Sequence, residues 1–168
     1  MSANNTSPKT YANRKNRVVF MAHNFWSGFL FGIGIAAFID EVVFHLILQW
    51  HHFYDQSTLE IGLVSDGLFH AFGWFAAISS LFLFADLRRK NALWGKRWTG
   101  AMLFGTGFFQ VYDGLVQHKL LKLHQIRYNV DILPYDLVWN IIGFIIFLIG
   151  FFLLLQTRKS LKKQKVEN

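Results

Sequence analysis

The sequence contains no cysteine, only two prolines and few charged residues. The absence of cysteine excludes a disulfide framework, thiolate metal sites and a cysteine nucleophile. Charged residues make up 16% of the 168 positions, against roughly 25% in an average soluble domain. Apolar residues are abundant instead: 53% of the chain is hydrophobic, with 19 Phe and six Trp. This composition disfavours an ordinary soluble protein, and the length allows one domain.

Four long apolar stretches occupy most of the chain. They run from Val18 to Trp50, from Leu63 to Ala85, from Trp98 to about Leu123 and from Tyr135 to Leu155. A membrane-spanning helix needs about 20 apolar residues, and an open sheet would leave backbone groups unpaired in lipid. We therefore predict an all-α fold, a four-helix transmembrane bundle over residues 18–156. Residues 1–17 are predicted to be a disordered N-terminus, and residues 157–168 a basic tail that is disordered as well.

The basic residues are concentrated on one predicted side of the membrane. Fourteen of the 17 precede the first span, join the second to the third, or follow the fourth. The positive-inside rule therefore predicts that both termini and the middle loop are cytoplasmic, in a bacterial plasma membrane. The orientation of the spans in the membrane and contact with lipid headgroups then explain the net charge of +7. We therefore expect no nucleic-acid partner.

The two halves of the chain share a pattern of glycine, aspartate and histidine. Five residues of the first half recur 73 positions later in the second half. The first-half residues are Gly32, Gly34, Asp40, His45 and His51, and their counterparts in the same order are Gly105, Gly107, Asp113, His118 and His124. At an offset of 70, Asp66 corresponds to Asp136. We predict two tandem two-helix hairpin repeats, residues 18–86 and 96–156, related by a pseudo-two-fold axis along the membrane normal.

Most histidines and several aspartates fall at the predicted extracytoplasmic ends of the spans. The candidate metal-ligating residues are Asp40, His45, His51, His52, Asp66, His70, Asp113, His118 and His124. Asp136 lies in the same layer. Ionisable side chains within spans cost about 2.5–3.5 kcal/mol each and usually face a partner, a cavity or an ion. Metal binding is the leading interpretation, and a purely structural His–Asp network and proton handling are the alternatives.

Helical spacing refines this prediction. Asp66 and His70 are four residues apart and share a helical face. Asp40 and His51 are eleven residues apart, about three turns, and are predicted to share a face as well. His45, however, lies five residues after Asp40, about 140° around a straight α-helix. Either a local break in the helix intervenes, or the layer contains two sub-sites.

The donor types limit the identity of the metal. Imidazole and carboxylate without cysteine sulfur suit zinc, copper(II), iron or manganese. Paired histidines could also ligate a haem iron, and His45 with His118 is the candidate axial pair. The two Gly-x-Gly sequences follow no strand, so we interpret them as helix-packing positions rather than dinucleotide-binding motifs.

The motifs themselves resemble a known group. The run D-E-V-V-F-H-L-I-L-Q-W-H-H from Asp40 to His52, with D-G-L-F-H-A at Asp66 and D-G-L-V-Q-H at Asp113, resembles an uncharacterised bacterial family of predicted four-helix membrane proteins. Family members usually carry Gly where this chain has Glu41, and Gln where it has Leu46. Some members are encoded near haem–copper oxidase assembly factors. The resemblance therefore implies copper or haem, and a respiratory oxidase or its assembly factors as partners. Together with the donor types, it makes copper the expected metal, with zinc, iron or haem as alternatives.

From the sequence we expect an integral membrane protein that binds or delivers copper on the extracytoplasmic side, with the lipid bilayer as its environment. The alternative is a membrane metalloenzyme or oxidoreductase with a copper, iron or haem centre in the same layer. An ion or proton transporter is a second alternative, disfavoured by the apolar cytoplasmic halves of the spans. Acid/base partners for a metal-bound water are present, but no nucleophile motif such as G-x-S-x-G occurs. The sequence therefore leaves enzymatic activity open.

Overall fold

Four long helices follow one another along the chain, and two of them change their winding before they end. The computed structural model describes residues 8–166, and the side-chain surroundings of residues 18–159. The elements are α1 (Pro8–Asp40), a first π-helical segment (Glu41–Ile47), α2 (Leu59–Arg89), α3 (Gly95–Tyr112), a second π-helical segment (Asp113–Leu120) and α4 (Leu133–Val166). The described residues form helices and loops only, which confirms the all-α prediction.

The helices extend further at the two ends of the chain than the sequence predicted. α1 begins at Pro8 and α4 continues to Val166, so residues 8–17 and 157–166 are helical rather than disordered. Both segments are rich in Lys and Arg, which favour helix. Extending an existing helix also avoids the cost of nucleation. The predicted disorder of residues 1–7 and 167–168 lies outside the described residues.

The helices pack in the order α2, α1, α3, α4. α1 contacts α2 and α3, and α3 contacts α1 and α4. Gly32 and Gly105 lie where the two central helices meet. A Cβ atom on Gly32 would collide with the carbonyl oxygen of Met102, and one on Gly105 would collide with that of Phe29. These close backbone approaches confirm that the Gly-x-Gly sequences serve helix packing.

Three helical segments among the described residues are long and apolar enough to cross a membrane. They are Val18–Ile47, Leu59–Arg89 and Leu133–Lys159. The prediction of membrane spans is confirmed for these three. α3 differs because its 18 residues begin with Gly95, Lys96 and Arg97 and contain four glycines in all, which lowers its mean hydropathy. It is also a central helix of the row, where less of its surface needs to be apolar.

The exterior of the bundle is more apolar than its deepest interior. Leu68, Phe75 and Phe82 are spaced seven residues apart on α2 and are 70%, 72% and 74% exposed. The most deeply buried side chains include histidine, glutamate and asparagine instead. Lipid tails solvate apolar side chains, so helices in a membrane associate through close packing and polar contacts. This distribution is the one expected of a protein in a bilayer.

Polar contacts also fasten the end of the bundle that carries the chain termini. Ser27 Oγ donates to the Ser80 carbonyl at 3.1 Å, and Ser80 Oγ donates to the Ser27 carbonyl at 2.6 Å. Asn24 Nδ2 donates to the Ala92 carbonyl at 2.9 Å. The opposite end consists of the loops at residues 48–58 and 121–132, and we call it the loop end.

Candidate metal centre

Four buried histidines meet at the loop end, and we call them the four-histidine cluster: His45, His51, His118 and His124. None is more than 5% exposed. The rings of His51 and His124 stack in parallel, with centroids 4.5 Å apart and an interplanar angle of 3°. His45 packs edge-on against His51 at 4.5 Å, and His118 against His124 at 4.7 Å. The cluster thus joins equivalent residues of the two halves of the chain.

The π-helical segments position His45 and His118. An α-helix would turn each histidine away from the aspartate five residues before it. In a π-helix the hydrogen bonds join residues five apart, which brings such pairs to the same side. His45 Nε2 lies 3.8 Å from Asp40 Oδ2, and His118 Nε2 lies 3.0 Å from Asp113 Oδ2. Each half of the chain therefore contains the local break in the α-helix that was one of the two predicted alternatives.

Two sharply turned loops position the other two histidines. Gln49 and Lys122 have φ values of 50° and 52°, a left-handed conformation that is uncommon for such residues. Each is followed two positions later by a histidine of the cluster. His51 therefore lies in a loop, because the helix ends before it, and not on a helical face shared with Asp40 as predicted. The turn at Gln49 brings the His51 ring into the cluster.

The two loop histidines hold each other's loops. His51 Nδ1 lies 2.9 Å from the carbonyl oxygen of Ile126, and His124 Nδ1 lies 2.8 Å from that of Phe53. Residues 53 and 126 are themselves 73 apart, so the two bonds are equivalent in the two halves. A carbonyl oxygen only accepts, so Nδ1 carries the hydrogen in both rings. Each Nε2 consequently keeps a lone pair available for a ligand.

Both loop histidines are neutral at pH 7. Burial lowers the pKa of His51 to about 2, and the neighbouring imidazoles add to the shift. Burial also lowers the pKa of His124 to about 4, although Asp113 opposes the shift. A histidine must be neutral to bind a metal ion, so these two require no deprotonation at physiological pH.

The Nε2 atoms of His45, His51 and His124 are buried and have no hydrogen-bond partner among the described residues, whereas His118 Nε2 lies 3.0 Å from Asp113 Oδ2. A buried polar group without a partner costs about 1–3 kcal/mol. One ligand atom from each of His51, His118 and His124 lies within 4.8 Å of the other two. Asp113 contributes a carboxylate oxygen 3.7 Å from His124 Nε2. The cluster therefore provides convergent donors of the kind that bind transition metals.

A second group of donors adjoins the cluster through His45. Its Nδ1 atom lies 2.9 Å from Glu41 Oε2 and 3.1 Å from Asp66 Oδ1. These three residues satisfy the geometry of a metal-binding group as well. As outer partners, the two carboxylates fix the orientation of the His45 ring, whose other nitrogen, Nε2, lies 3.8 Å from Asp40 Oδ2.

Asp66 is itself fixed by two donors. His52 Nδ1 lies 2.6 Å from Asp66 Oδ2, and the Phe53 backbone N–H donates to Asp66 Oδ1 at 2.7 Å.

Glu41 was absent from the sequence-based candidates because the second half has Gly114 at the matching position. Its acidic side chain within an apolar stretch was the signal that could have identified it.

In the second half of the chain, different residues surround the equivalent histidine, His118. Asp136 forms an ion pair with Lys119, and its Oδ1 atom is 4.0 Å from His118 Nδ1. The equivalent distance in the first half, from His45 Nδ1 to Asp66 Oδ1, is 3.1 Å. The two halves therefore share the histidines but differ in the acids around them.

His70 lies apart from the cluster. Trp74 Nε1 donates to His70 Nε2 at 2.9 Å, and the imidazole ring packs 5.5 Å from that of Phe38. Asp66 faces His45 and His52 instead. The structure thus brings together eight of the nine predicted ligands in or beside the cluster and does not bring His70 to them.

The rings of His51 and His124 lie between His45 and His118. Their contacts run from His45 to His51, across the stack to His124, and on to His118. Two imidazole rings therefore separate His45 from His118, the predicted axial pair. The stacked pair that joins the two halves is formed by the loop histidines.

These features define a membrane protein with a helical bundle and a buried polar centre. Residues 27–157 match the family described as "Predicted membrane protein (DUF2243)", and the chain belongs to this family. The resemblance inferred from the motifs is therefore confirmed. No curated protein and no solved structure matches the chain.

Proposed function

We propose that the protein binds a transition-metal ion, copper, in the four-histidine cluster and stores or delivers it on the extracytoplasmic side of the membrane. One observation carries this proposal: the buried Nε2 atoms of His45, His51 and His124 have no hydrogen-bond partner among the described residues, and three cluster histidines, His51, His118 and His124, offer ligand atoms within 4.8 Å of one another. A network that only stabilised the bundle would pair these atoms, because each unpaired one costs free energy. A cation bound between His51, His118 and His124 would use the free Nε2 lone pairs of the two loop histidines.

The surroundings of the cluster support the same role. The backbone carbonyls of Phe53 and Ile126 fix the tautomers of the loop histidines. Glu41 and Asp66 orient His45. Metal-ligating histidines usually donate their second ring N–H to such carbonyl or carboxylate partners, which raises the basicity of the ligand.

Copper is the ion that these donors favour. Imidazole nitrogens suit copper, zinc, iron and nickel, and copper(II) leads the affinity order of the divalent metals. The close ring contacts of 4.5–4.7 Å favour an ion over haem. The oxidoreductase alternative would use the same centre, and delivery to a respiratory oxidase remains a prediction from the family resemblance.

The proposal includes four membrane spans and a duplicated hairpin. α3 lies between two helices, α1 and α4, that are apolar enough to cross a bilayer, so we infer that it crosses with them. The duplication is supported by π-helical segments, left-handed residues and histidine–carbonyl bonds that recur at the same offset. The basic residues favour cytoplasmic termini, which places the cluster on the opposite side.

Metal analysis of purified protein tests the proposal. Protein in detergent is stripped with a chelator, reloaded with Cu(II), Zn(II), Fe(II) or Mn(II), and measured by elemental analysis with visible and EPR spectra. We expect Cu(II) to be retained with a nitrogen-rich EPR signal. His124→Ala should weaken Cu(II) binding by more than about 100-fold, since loss of even an outer partner costs 10–100-fold.

His70→Ala is the matched control, because this histidine lies in the same layer but outside the cluster. It should retain the affinity of the unchanged protein. Equal loss of copper in His70→Ala and His124→Ala would contradict the site, as would a folded protein that binds none of the four ions. A Soret band in the protein as first purified would favour haem instead.

A further inference from the structure

The surroundings of His45 and Asp66 differ from those of their counterparts, His118 and Asp136. Three first-half residues and their counterparts at the offset of 73 are, in order, Glu41, Leu46 and His52, and Gly114, Lys119 and Gln125. Glu41 Oε2 lies 2.9 Å from His45 Nδ1, and His52 Nδ1 lies 2.6 Å from Asp66 Oδ2. The first half thus adds two residues of metal-ligating type where the second half has a glycine and a glutamine.

The two halves also differ in charge at this place. In the second half, Lys119 forms an ion pair with Asp136. In the first half, Leu46 replaces the lysine, and Glu41 adds a carboxylate. With the histidines neutral, the three acids of the first half carry a formal charge of −3: Asp40, Glu41 and Asp66. Two acids and one lysine of the second half carry −1: Asp113, Asp136 and Lys119. The first half therefore lacks two positive charges relative to the second.

The three acids of the first half are buried. Asp40, Glu41 and Asp66 are 4%, 1% and 3% exposed, and no lysine or arginine pairs with them among the described residues. A buried charge without a partner is strongly destabilising. Protonation of His45 and His52 would balance the charge, but it would leave Glu41 Oε1 without a hydrogen-bond partner among the described residues. A bound cation satisfies both requirements.

Three donors converge at this place. One ligand atom from each of Glu41, His45 and Asp66 lies within 4.8 Å of the other two. The oxygens Glu41 Oε2 and Asp66 Oδ1 lie 2.9 Å and 3.1 Å from His45 Nδ1. Two ligand atoms at right angles, each about 2.1 Å from a divalent ion, are about 3.0 Å apart. Because an ion touches its ligand atoms directly, such a site needs no cavity that admits water.

The second nitrogen of His45 faces a suitable outer partner. Without an ion, Nδ1 carries the hydrogen, because the two carboxylates beside it only accept. An ion bound at Nδ1 moves this hydrogen to Nε2, which lies 3.8 Å from Asp40 Oδ2. Metal-ligating histidines usually donate their other ring N–H to a carboxylate or a carbonyl. Asp40 occupies the position of that partner.

We propose that Glu41, His45 Nδ1 and Asp66 form a second metal site, the acidic site, which binds manganese(II). Carboxylate oxygens suit manganese, whereas sites built from imidazole alone suit copper or zinc. A divalent ion supplies the two positive charges by which the halves differ. The acidic site does not depend on copper in the four-histidine cluster, because it uses none of the three histidines whose ligand atoms converge there.

Manganese binding to chelator-stripped protein in detergent tests the proposal. Free Mn(II) gives a six-line EPR signal that broadens when the ion binds, so a titration measures both affinity and stoichiometry. We expect one Mn(II) per protein. His124→Ala, which removes a ligand of the copper site, should bind Mn(II) as the unchanged protein does. Failure of the copper site and failure of the acidic site are therefore distinguishable.

A pair of matched variants locates the ion. Leu46 is 48% exposed, and Leu46→Lys introduces the lysine of the second half. Its ammonium group should pair with Asp66 and weaken Mn(II) binding by more than about tenfold through charge repulsion. Leu46→Met changes the same side chain without adding charge, so it should leave Mn(II) binding unchanged.

A third variant removes a ligand directly. Glu41→Gln should weaken Mn(II) binding at least about tenfold, since loss of even an outer partner of a metal site costs 10–100-fold. Circular dichroism verifies that each variant folds. Absence of Mn(II) binding to the folded, unchanged protein overturns the proposal, as does equal binding by Leu46→Lys and Leu46→Met. Loss of Mn(II) in His124→Ala would place the ion in the four-histidine cluster and would overturn it as well.

Discussion

The stacked pair of loop histidines gives a prediction that is independent of any metal. Each ring makes one hydrogen bond to the opposite loop, worth about 1 kcal/mol net. Each also stacks on the other at 4.5 Å, worth about 1 kcal/mol beyond burial. His51→Ala and His124→Ala should therefore each lower the free energy of unfolding by about 2 kcal/mol.

The double variant distinguishes shared from separate contributions. Once one ring is removed, the stacking is already lost, so the second substitution removes only its own hydrogen bond. The double variant should lose about 3 kcal/mol rather than 4, a coupling energy of about 1 kcal/mol. The measurement is SDS-induced unfolding of chelator-treated protein, followed by circular dichroism.

The control cycle pairs His124→Ala with His70→Ala. His70 contacts Phe38 and Trp74 instead of the cluster, so the two effects should add to within about 0.5 kcal/mol. Additive losses for His51 and His124 would refute the stacked geometry. Coupling of equal size in the control cycle would show that the measurement reports general loosening of the bundle.

Two further predictions concern the π-helical segment and the orientation. Deletion of Val43 permits a regular α-helix in which the histidine follows Asp40 by four residues, about 40° around the helix, so copper binding by elemental analysis should fall less than about tenfold. Insertion of an alanine after Val43 places the histidine six residues after Asp40, about 120° away, and copper binding should fall more than about tenfold with helical content unchanged. Equal binding by the two variants would contradict the positioning role of the segment. Since the chain has no native cysteine, Glu60→Cys should react with an impermeant maleimide in intact cells and Lys96→Cys only after lysis. The reverse pattern would invert the proposed topology.

Much of the fold followed from apolar runs, because a bilayer requires each span to satisfy its own backbone hydrogen bonds. The helix ends were less accessible to the sequence. The first span was expected to reach Trp50, whereas its helical structure ends at Ile47. Apolar composition does not distinguish a helix from a buried loop, so the turn at Gln49 could not be predicted.

The candidate site was predicted as a set of residues rather than as an arrangement. Scarce ionisable groups in apolar runs identified the histidines, since such residues are costly in a membrane. Helical spacing then failed for His51, which lies in a loop, and for His70, which faces Trp74. Glu41 was missed because it has no counterpart in the second half.

The sequence by itself determined the helical class, three of the apolar spans and the family, because these depend on composition and on local motifs. Only the tertiary structure decided which histidines meet. That outcome depends on π-helical winding and on two left-handed loop residues, which rotate side chains without changing the pattern of residue types. It depends also on contacts across 75 and 71 residues, from His51 to Ile126 and from His124 to Phe53, and such contacts form only when the two halves pack together.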